Sequence, residues 1–369
     1  MSILNDSDLA PVLELLKKDF SGWFKSNEGG PYLQQLEREF ARFLTARHAI
    51  AVSSGSASLY IALKACEVGP GDEVAVPAYT HVGTVAPIVL AGAKPVFVDV
   101  NEHGNMDPED LRKVASVVRV KAVIVVHQLG LPCEMDRIRE SCNGAFIVED
   151  ASHSLGAEYK GTKAGVLGNI GCFSIGGGRT KTIGTGEGGI IAVNDEQLAE
   201  RCKNMRNHGD RVTDVDYFCF NFRMSELNAL VGLLQMPKLQ FMIDWQIRNA
   251  EYMIARLPSC LETIAYPSNV KAVHYIVGCH FSSKEADMSR DDLLRKVRDR
   301  GFEGGAPRKN VGKGYSKLIS DVKFYTRFRR DLPMSEKIRD DAVWIDWHRY
   351  PRTKEEIDQL VNSLEGICS

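Results

Sequence analysis

Short apolar runs alternate with segments of helical period from residue 49 to about residue 195. His48-Ala49-Ile50-Ala51-Val52, Glu73–Pro77, Pro95–Val100, Val120–His127, Ala145–Glu149 and Gly189–Asn194 read as strands. Between them, Ala57–Cys66 and Thr84–Leu90 read as helices, and a third starts at Asp107-Pro108, with Asp107 as N-cap and proline in the first turn. The strands are apolar on both faces, which predicts a mostly parallel sheet covered by helices on each side. Beyond residue 225 the pattern changes. Ser225–Arg256 is a long helical stretch interrupted only by Pro237, followed by strand-like Ala272–Phe281 and helical Ser289–Arg300 and Thr353–Leu364. The expected architecture is α/β. A large domain over residues 1–256 carries the central sheet, and a smaller α+β domain spans 257–369, with the N-terminal helix packing on it.

Composition narrows the function. The chain has 369 residues and a net charge of -2, so no basic surface calls for nucleic acid. No apolar run reaches the length of a membrane span. The first twenty residues mix acids and lysines without the basic start and apolar core of a signal peptide, so a cytoplasmic location is expected. The nine cysteines form no Cys-x-x-Cys pair, which favours buried thiols over disulfides or a metal site.

Ligands of such sheets sit beyond the carboxyl ends of the strands. Ser53-Ser54-Gly55-Ser56 lies at one such end and opens a helix, a place where backbone N–H groups can hold phosphate. It is not a P-loop, and no Gly-x-Gly-x-x-Gly turn supports a dinucleotide enzyme. Asp150 closes another apolar run, and His153 follows three residues later. Alone, Asp150 would be a helix cap and His153 a structural histidine. Lys181 stands in a glycine-rich stretch preceded by Ser174, where small neighbours let a backbone approach a ligand closely. An aspartate at a strand end and a lone lysine beside a glycine turn are what pyridoxal phosphate (PLP) requires. The lysine forms a Schiff base with the cofactor aldehyde, and the carboxylate keeps the pyridine nitrogen protonated.

The segments SSGSASLYIAL, GDEVAVPAYTHVGT, GAKPVFVDV, VHQLGLP, VEDASHSLGAEYKG, GCFS, KTIGTGEGGIIAVND, MRNHG and NFRMSELNA follow one another in the chain. In content and order they resemble the DegT/DnrJ/EryC1/StrS family of PLP-dependent sugar aminotransferases, over roughly residues 27 to 235. The resemblance implies fold type I, the aspartate aminotransferase fold. It also implies transfer of an amino group from glutamate or glutamine to a keto-sugar, nucleotide-linked in many relatives. By position it makes Lys181 and Asp150 catalytic and gives the phosphate to Gly55, Ser56 and Ser174. His81 would stack on the cofactor ring, and His153 would meet its phenolic oxygen. Asn221 would reach the phosphate of a neighbouring subunit, implying a homodimer with shared sites. Arg223, Arg179 and His348 are candidate substrate contacts. The chain departs from the family by two extra residues between Ser174 and Lys181 and by a divergent C-terminal third. A PLP-dependent dehydratase and a catalytically silent binding scaffold are the competing readings, and a lysine at 181 argues against the first.

Overall fold

A computed structural model describes residues 6–17, 28–177, 181–208, 219–263, 266–300, 311–313, 315, 317–323, 325–328, 330–346 and 352–368. The first elements are helices α1 (Asp6–Leu16) and α2 (Pro31–Leu44), then β1 (His48–Val52), α3 (Gly55–Ala65), β2 (Glu73–Pro77), α4 (Val82–Leu90) and β3 (Lys94–Val98). After them come α5 (Pro108–Val117), β4 (Val120–Val126), α6 (Met135–Ser141), β5 (Phe146–Asp150), β6 (Glu158–Tyr159), β7 (Thr162–Lys163), β8 (Ile170–Ser174), β9 (Gly189–Val193) and α7 (Glu196–Arg206). Helix starts follow the expected chemistry. Ser54 caps α3 by accepting the Ala57 N–H, and Asp107 caps α5 through the Glu109 N–H.

Seven strands form the central sheet in the order β1-β9-β8-β5-β4-β2-β3, with β9 antiparallel to both neighbours and the other pairings parallel. Its apolar residues feed one core under α3, α4 and α7 and others beneath α2 and α5. The strands expected from the apolar runs are present. Strand β8 lies outside the expected set, because Gly171 within it and the glycines on both sides of it break the apolar run.

Helix α8 (Glu226–Gln235) leads through a 3₁₀ turn at Met236–Lys238, where Pro237 sits, into α9 (Leu239–Ile254). Helix α1 packs on α8 and pairs Asp8 with Lys238, a partner within the first 256 residues. Helix α9 threads two cores. Leu239, Met242 and Ile243 belong to the large one, and Ala250 and Met253 to the smaller. The chain continues through β10 (Leu261–Glu262), β11 (Val270–Lys271), β12 (Val277–Phe281), α10 (Ser283–Ala286), α11 (Arg290–Asp299), β13 (Val311–Lys313), α12 (Pro333–Asp341), β14 (Ala342–Ile345) and α13 (Lys354–Cys368), most of which build the smaller body. Its antiparallel sheet runs β10-β12-β14-β13. Strand β11 instead joins β6 and β7 against the large body. The expected strand 272–281 is therefore shorter. Residues 272–276 cross between the two sheets, and the Val273 and Tyr275 N–H groups go to the carbonyls of Gly130 and Leu129.

The chain then returns to the large body. Ile319, Tyr325 and Leu332 enter its main core. Asp99, just past β3, accepts the N–H groups of Met334 and Ser335 and the Ser335 hydroxyl, capping α12 across the two bodies. Asp110 of α5 takes both Arg330 guanidinium nitrogens. That pairing and the Asp99 N–H hold the Asp110 carboxyl below its ordinary range against the opposing effect of burial, which is the largest single influence on it.

Candidate active site

The carboxyl ends of β1, β2, β4, β5 and β8 lie along one edge of the central sheet, with the start of antiparallel β9 among them. Asp150 ends β5, Ser174 ends β8, Ser54–Ser56 follow β1 and His81 follows β2. Lys181 lies in the connection from β8 to β9, so the topology delivers it to that same edge.

Asp150 is 5% exposed. One carboxylate oxygen accepts the Thr84 hydroxyl at 2.7 Å and the other the Ser152 N–H at 3.2 Å. Thr84 in turn accepts from the Thr80 hydroxyl, so α4 and the loop before it orient the carboxylate. Among the described residues Asp150 makes no ion pair. A buried carboxylate without a cation is costly, and a ligand ring with a protonated nitrogen would supply the missing charge. Its neighbour Glu149 points to the opposite face, as strand alternation requires. There Glu149 is fully buried and accepts the N–H groups of Gly165, Leu167 and Gly168 as well as the His127 ring. The Nδ1 of His127 accepts the Cys133 N–H, which leaves the ring proton on Nε2 to meet Glu149. This network anchors the end of β5 from below.

The Lys181 connection is a hairpin held at several points. Ile175 N–H donates to the Gly188 carbonyl, and Gly177 N–H to that of Gly186. From α8, the Gln235 amide takes the Gly184 N–H and donates back to the Gly184 carbonyl. Gly232 lets α8 come close, since a Cβ there would lie 2.9 Å from the Thr185 methyl. The Lys181 amine donates to the Ser152 carbonyl at 3.0 Å, on the turn that follows Asp150. Lys163, the nearest alternative in sequence, lies over the Phe43 ring instead.

Gly55 and Ser174 are packed together, and a Cβ on Gly55 would come within 2.7 Å of the Ser174 Cβ and 3.3 Å of its hydroxyl oxygen. Ser56 approaches Gly83, and a Cβ there would lie 2.9 Å from the Ser56 hydroxyl and 3.0 Å from His81 Nδ1. The Ser54 hydroxyl and carbonyl take the Ala57 and Ser58 N–H groups, while those of Gly55 and Ser56 lie ahead of them at the open helix end. The result is a cradle of two hydroxyls and helix-end N–H groups that fits a phosphate. His81 caps α4, its Nδ1 accepting the Gly83 N–H, with the ring exposed beside Tyr315. Burial, then Tyr79 and Asp150, push the Tyr315 phenol far above its usual range, so it stays a neutral donor.

Asn221 is exposed on a segment bridged to Asn207. Its side-chain oxygen accepts the Arg223 N–H at 3.0 Å, which turns the amide N–H₂ outward. The Arg223 guanidinium donates to the Asn207 side-chain oxygen. Arg206 and Glu37 form a buried ion pair on the Ala51 backbone and tie this segment to β1. Arg179 and His348 lie outside the described residues. Three residues near the site carried no local sequence signal: Thr84, Tyr315 and Tyr275. Tyr275 stacks on His153 with ring centroids 4.0 Å apart.

The profile of the DegT/DnrJ/EryC1/StrS aminotransferase family matches residues 5–365. The Bacillus subtilis spore coat polysaccharide biosynthesis protein SpsC is 33% identical over 81% of this chain and 79% of its own length. GDP-perosamine synthase of Vibrio cholerae is 31% identical over 77% of each chain. Among solved structures, S. venezuelae DesV superposes with a TM-score of 0.86 at 25% identity, covering 98% of this chain and 94% of its own. An aminotransferase from Psychrobacter cryohalolentis gives 0.83 at 26% identity, covering 99% and 97%. The chain belongs to the DegT/DnrJ/EryC1/StrS aminotransferase family and is a PLP-dependent sugar aminotransferase.

Proposed function

We propose that this enzyme moves an amino group from glutamate or glutamine to a nucleotide-linked keto-sugar, in sites centred on Lys181 and Asp150 and shared between two subunits. The observation that carries the reading is the Lys181 amine held at the Ser152 carbonyl, on the turn that begins with the buried Asp150, which has no cation among the described residues. When bound, PLP supplies an aldehyde carbon to carry the amino group and a ring to delocalise the electron pair left by proton removal. Asp150 would hold the ring nitrogen, with Thr84 fixing the carboxylate. Gly55, Ser56 and Ser174 would hold the phosphate, His153 the phenolic oxygen and His81 one ring face. Lys181 would hold the aldehyde carbon at rest. Once released, its amine would carry the proton from the donor carbon and later return it to the sugar carbon.

The outward amide of Asn221 supports completion of the phosphate site by the partner subunit. Relatives named GDP-perosamine synthase support the nucleotide-linked acceptor. A half-reaction screen tests the substrates: loaded enzyme is mixed with L-glutamate or L-glutamine, then with GDP-, UDP- and dTDP-linked keto-sugars. Spectral conversion by one donor, reversed by a nucleotide keto-sugar, is expected. Reversal only by free keto-sugars would overturn the nucleotide assignment.

A further inference from the structure

Residues 273–275 carry the chain from the sheet beside the large body to the smaller one, and they are clamped from both sides. The Val273 and Tyr275 N–H groups donate to the Gly130 and Leu129 carbonyls at 3.0 and 2.8 Å. From α9, the Gln246 amide donates to the Val273 carbonyl at 2.5 Å and the His274 carbonyl at 3.3 Å. Gly130 has a φ of +91°, and a Cβ there would lie 2.8 Å from the Tyr275 nitrogen and 3.1 Å from the His153 carbonyl oxygen. The segment is thus wedged against the turn that follows Asp150. Tyr275 is 8% exposed. Its ring lies nearly parallel to the His153 ring, at 12° and 4.0 Å, and the Lys181 amine is 4.8 Å from its centroid.

We propose that Tyr275 is a positioning residue whose ring face holds the Lys181 amine beside the Asp150 turn, so that the C-terminal part of the chain sets the pose of the attachment lysine. The inference rests on the reading of Lys181 as that lysine. A lysine amine sits on a flexible four-carbon stem and has three hydrogens to place. The Ser152 carbonyl takes one of them. An ammonium over an aromatic face is attracted by the ring quadrupole, and this contact restrains the others. The His153 ring, stacked on the tyrosine at 4.0 Å, keeps it from turning away. The attraction belongs to the ring rather than the hydroxyl, so phenylalanine preserves it and an aliphatic side chain does not.

The test uses full-length, cofactor-free protein carrying Tyr275→Phe, the same position filled with phenylalanines bearing one to five ring fluorines, and Tyr275→Leu. Fluorination weakens the quadrupole while keeping the shape, so the series stays informative even if the leucine variant fails to fold. Acetylation of Lys181 by acetic anhydride at fixed pH is quantified by peptide mass spectrometry against Lys163 of the same sample. Tyr275→Phe should label as the wild type does. Lys181 labelling should climb stepwise with fluorine number to several-fold, on the order of tenfold, while Lys163 stays constant. A Lys181-to-Lys163 ratio that is flat across the fluorine series overturns the proposal. If borohydride still fixes PLP to a Lys181→Ala protein, the reading of the attachment lysine fails instead, and the two failures are told apart.

Discussion

Asp150 has two hydrogen bonds and, among the described residues, no cation, so the proposed role assigns it the ring nitrogen. Asp150→Asn keeps the shape and the Thr84 contact but removes the charge. PLP should still bind, while amino transfer falls by about 100-fold or more. Cofactor content measured beside turnover checks this, and near-normal turnover would return Asp150 to a capping role. Gly55 makes a second residue-scale claim through space. A Cβ there meets the Ser174 side chain at 2.7 Å, so Gly55→Ala should force apart the two arms of the cradle. Cofactor dissociation during gel filtration should rise about tenfold, with a melting loss equivalent to about 1–3 kcal/mol. Unchanged retention would mean that phosphate is held elsewhere.

At the scale of elements, α12 is held to the β3 edge chiefly by Asp99, which accepts two N–H groups and a hydroxyl. Asp99→Ala should cost about 2 kcal/mol of stability, read from the fall in denaturant midpoint. The crossing segment 272–276 carries a pH signature. Burial lowers the pKa of His274 to about 4 from its ordinary value of 6.5. The unfolded chain therefore binds a proton between about pH 6.5 and 4 that the folded chain does not. Stability is full above the unfolded value and is lost as pH falls through that window. His274 has a φ of +48°, a conformation asparagine tolerates, so His274→Asn should flatten the loss measured by thermal melts from pH 7 to 4. Elements were the most legible level of the sequence. Apolar runs bounded by capping residues marked most of the parallel strands, and the strand-end rule put Asp150 and Ser53–Ser56 on one edge. Strand β8 escaped because Gly171 within it and the glycines at 165, 168 and 176–178 around it make the stretch read as loop. Tyr275 and Tyr315 escaped because their approach depends on packing across more than a hundred residues. Arg223 was read as facing substrate from its motif, yet its guanidinium is taken by Asn207, a partner set by the backbone bridge at Asn221.

For the whole molecule, the proposal places two subunits around each site. Phe220 and Asn221 are exposed side by side, and the Asn221 amide is turned outward. Lys181→Ala and Asn221→Ala proteins should each be strongly impaired, the second through loss of PLP. Mixed, dissociated and reassociated, they should recover about a quarter of wild-type activity, because half the dimers are hybrids with one intact site. No recovery would place Asn221 in its own subunit's site or outside any. No helix among the described residues is long and apolar enough to cross a membrane. The central claim is that Lys181 is the lysine to which PLP is bound, and its most direct test is to reduce the loaded enzyme with borohydride and map the pyridoxyl group by peptide mass spectrometry. The account predicts one modified lysine, Lys181, and a Lys181→Ala protein with none; modification of Lys163 or any other lysine would contradict it.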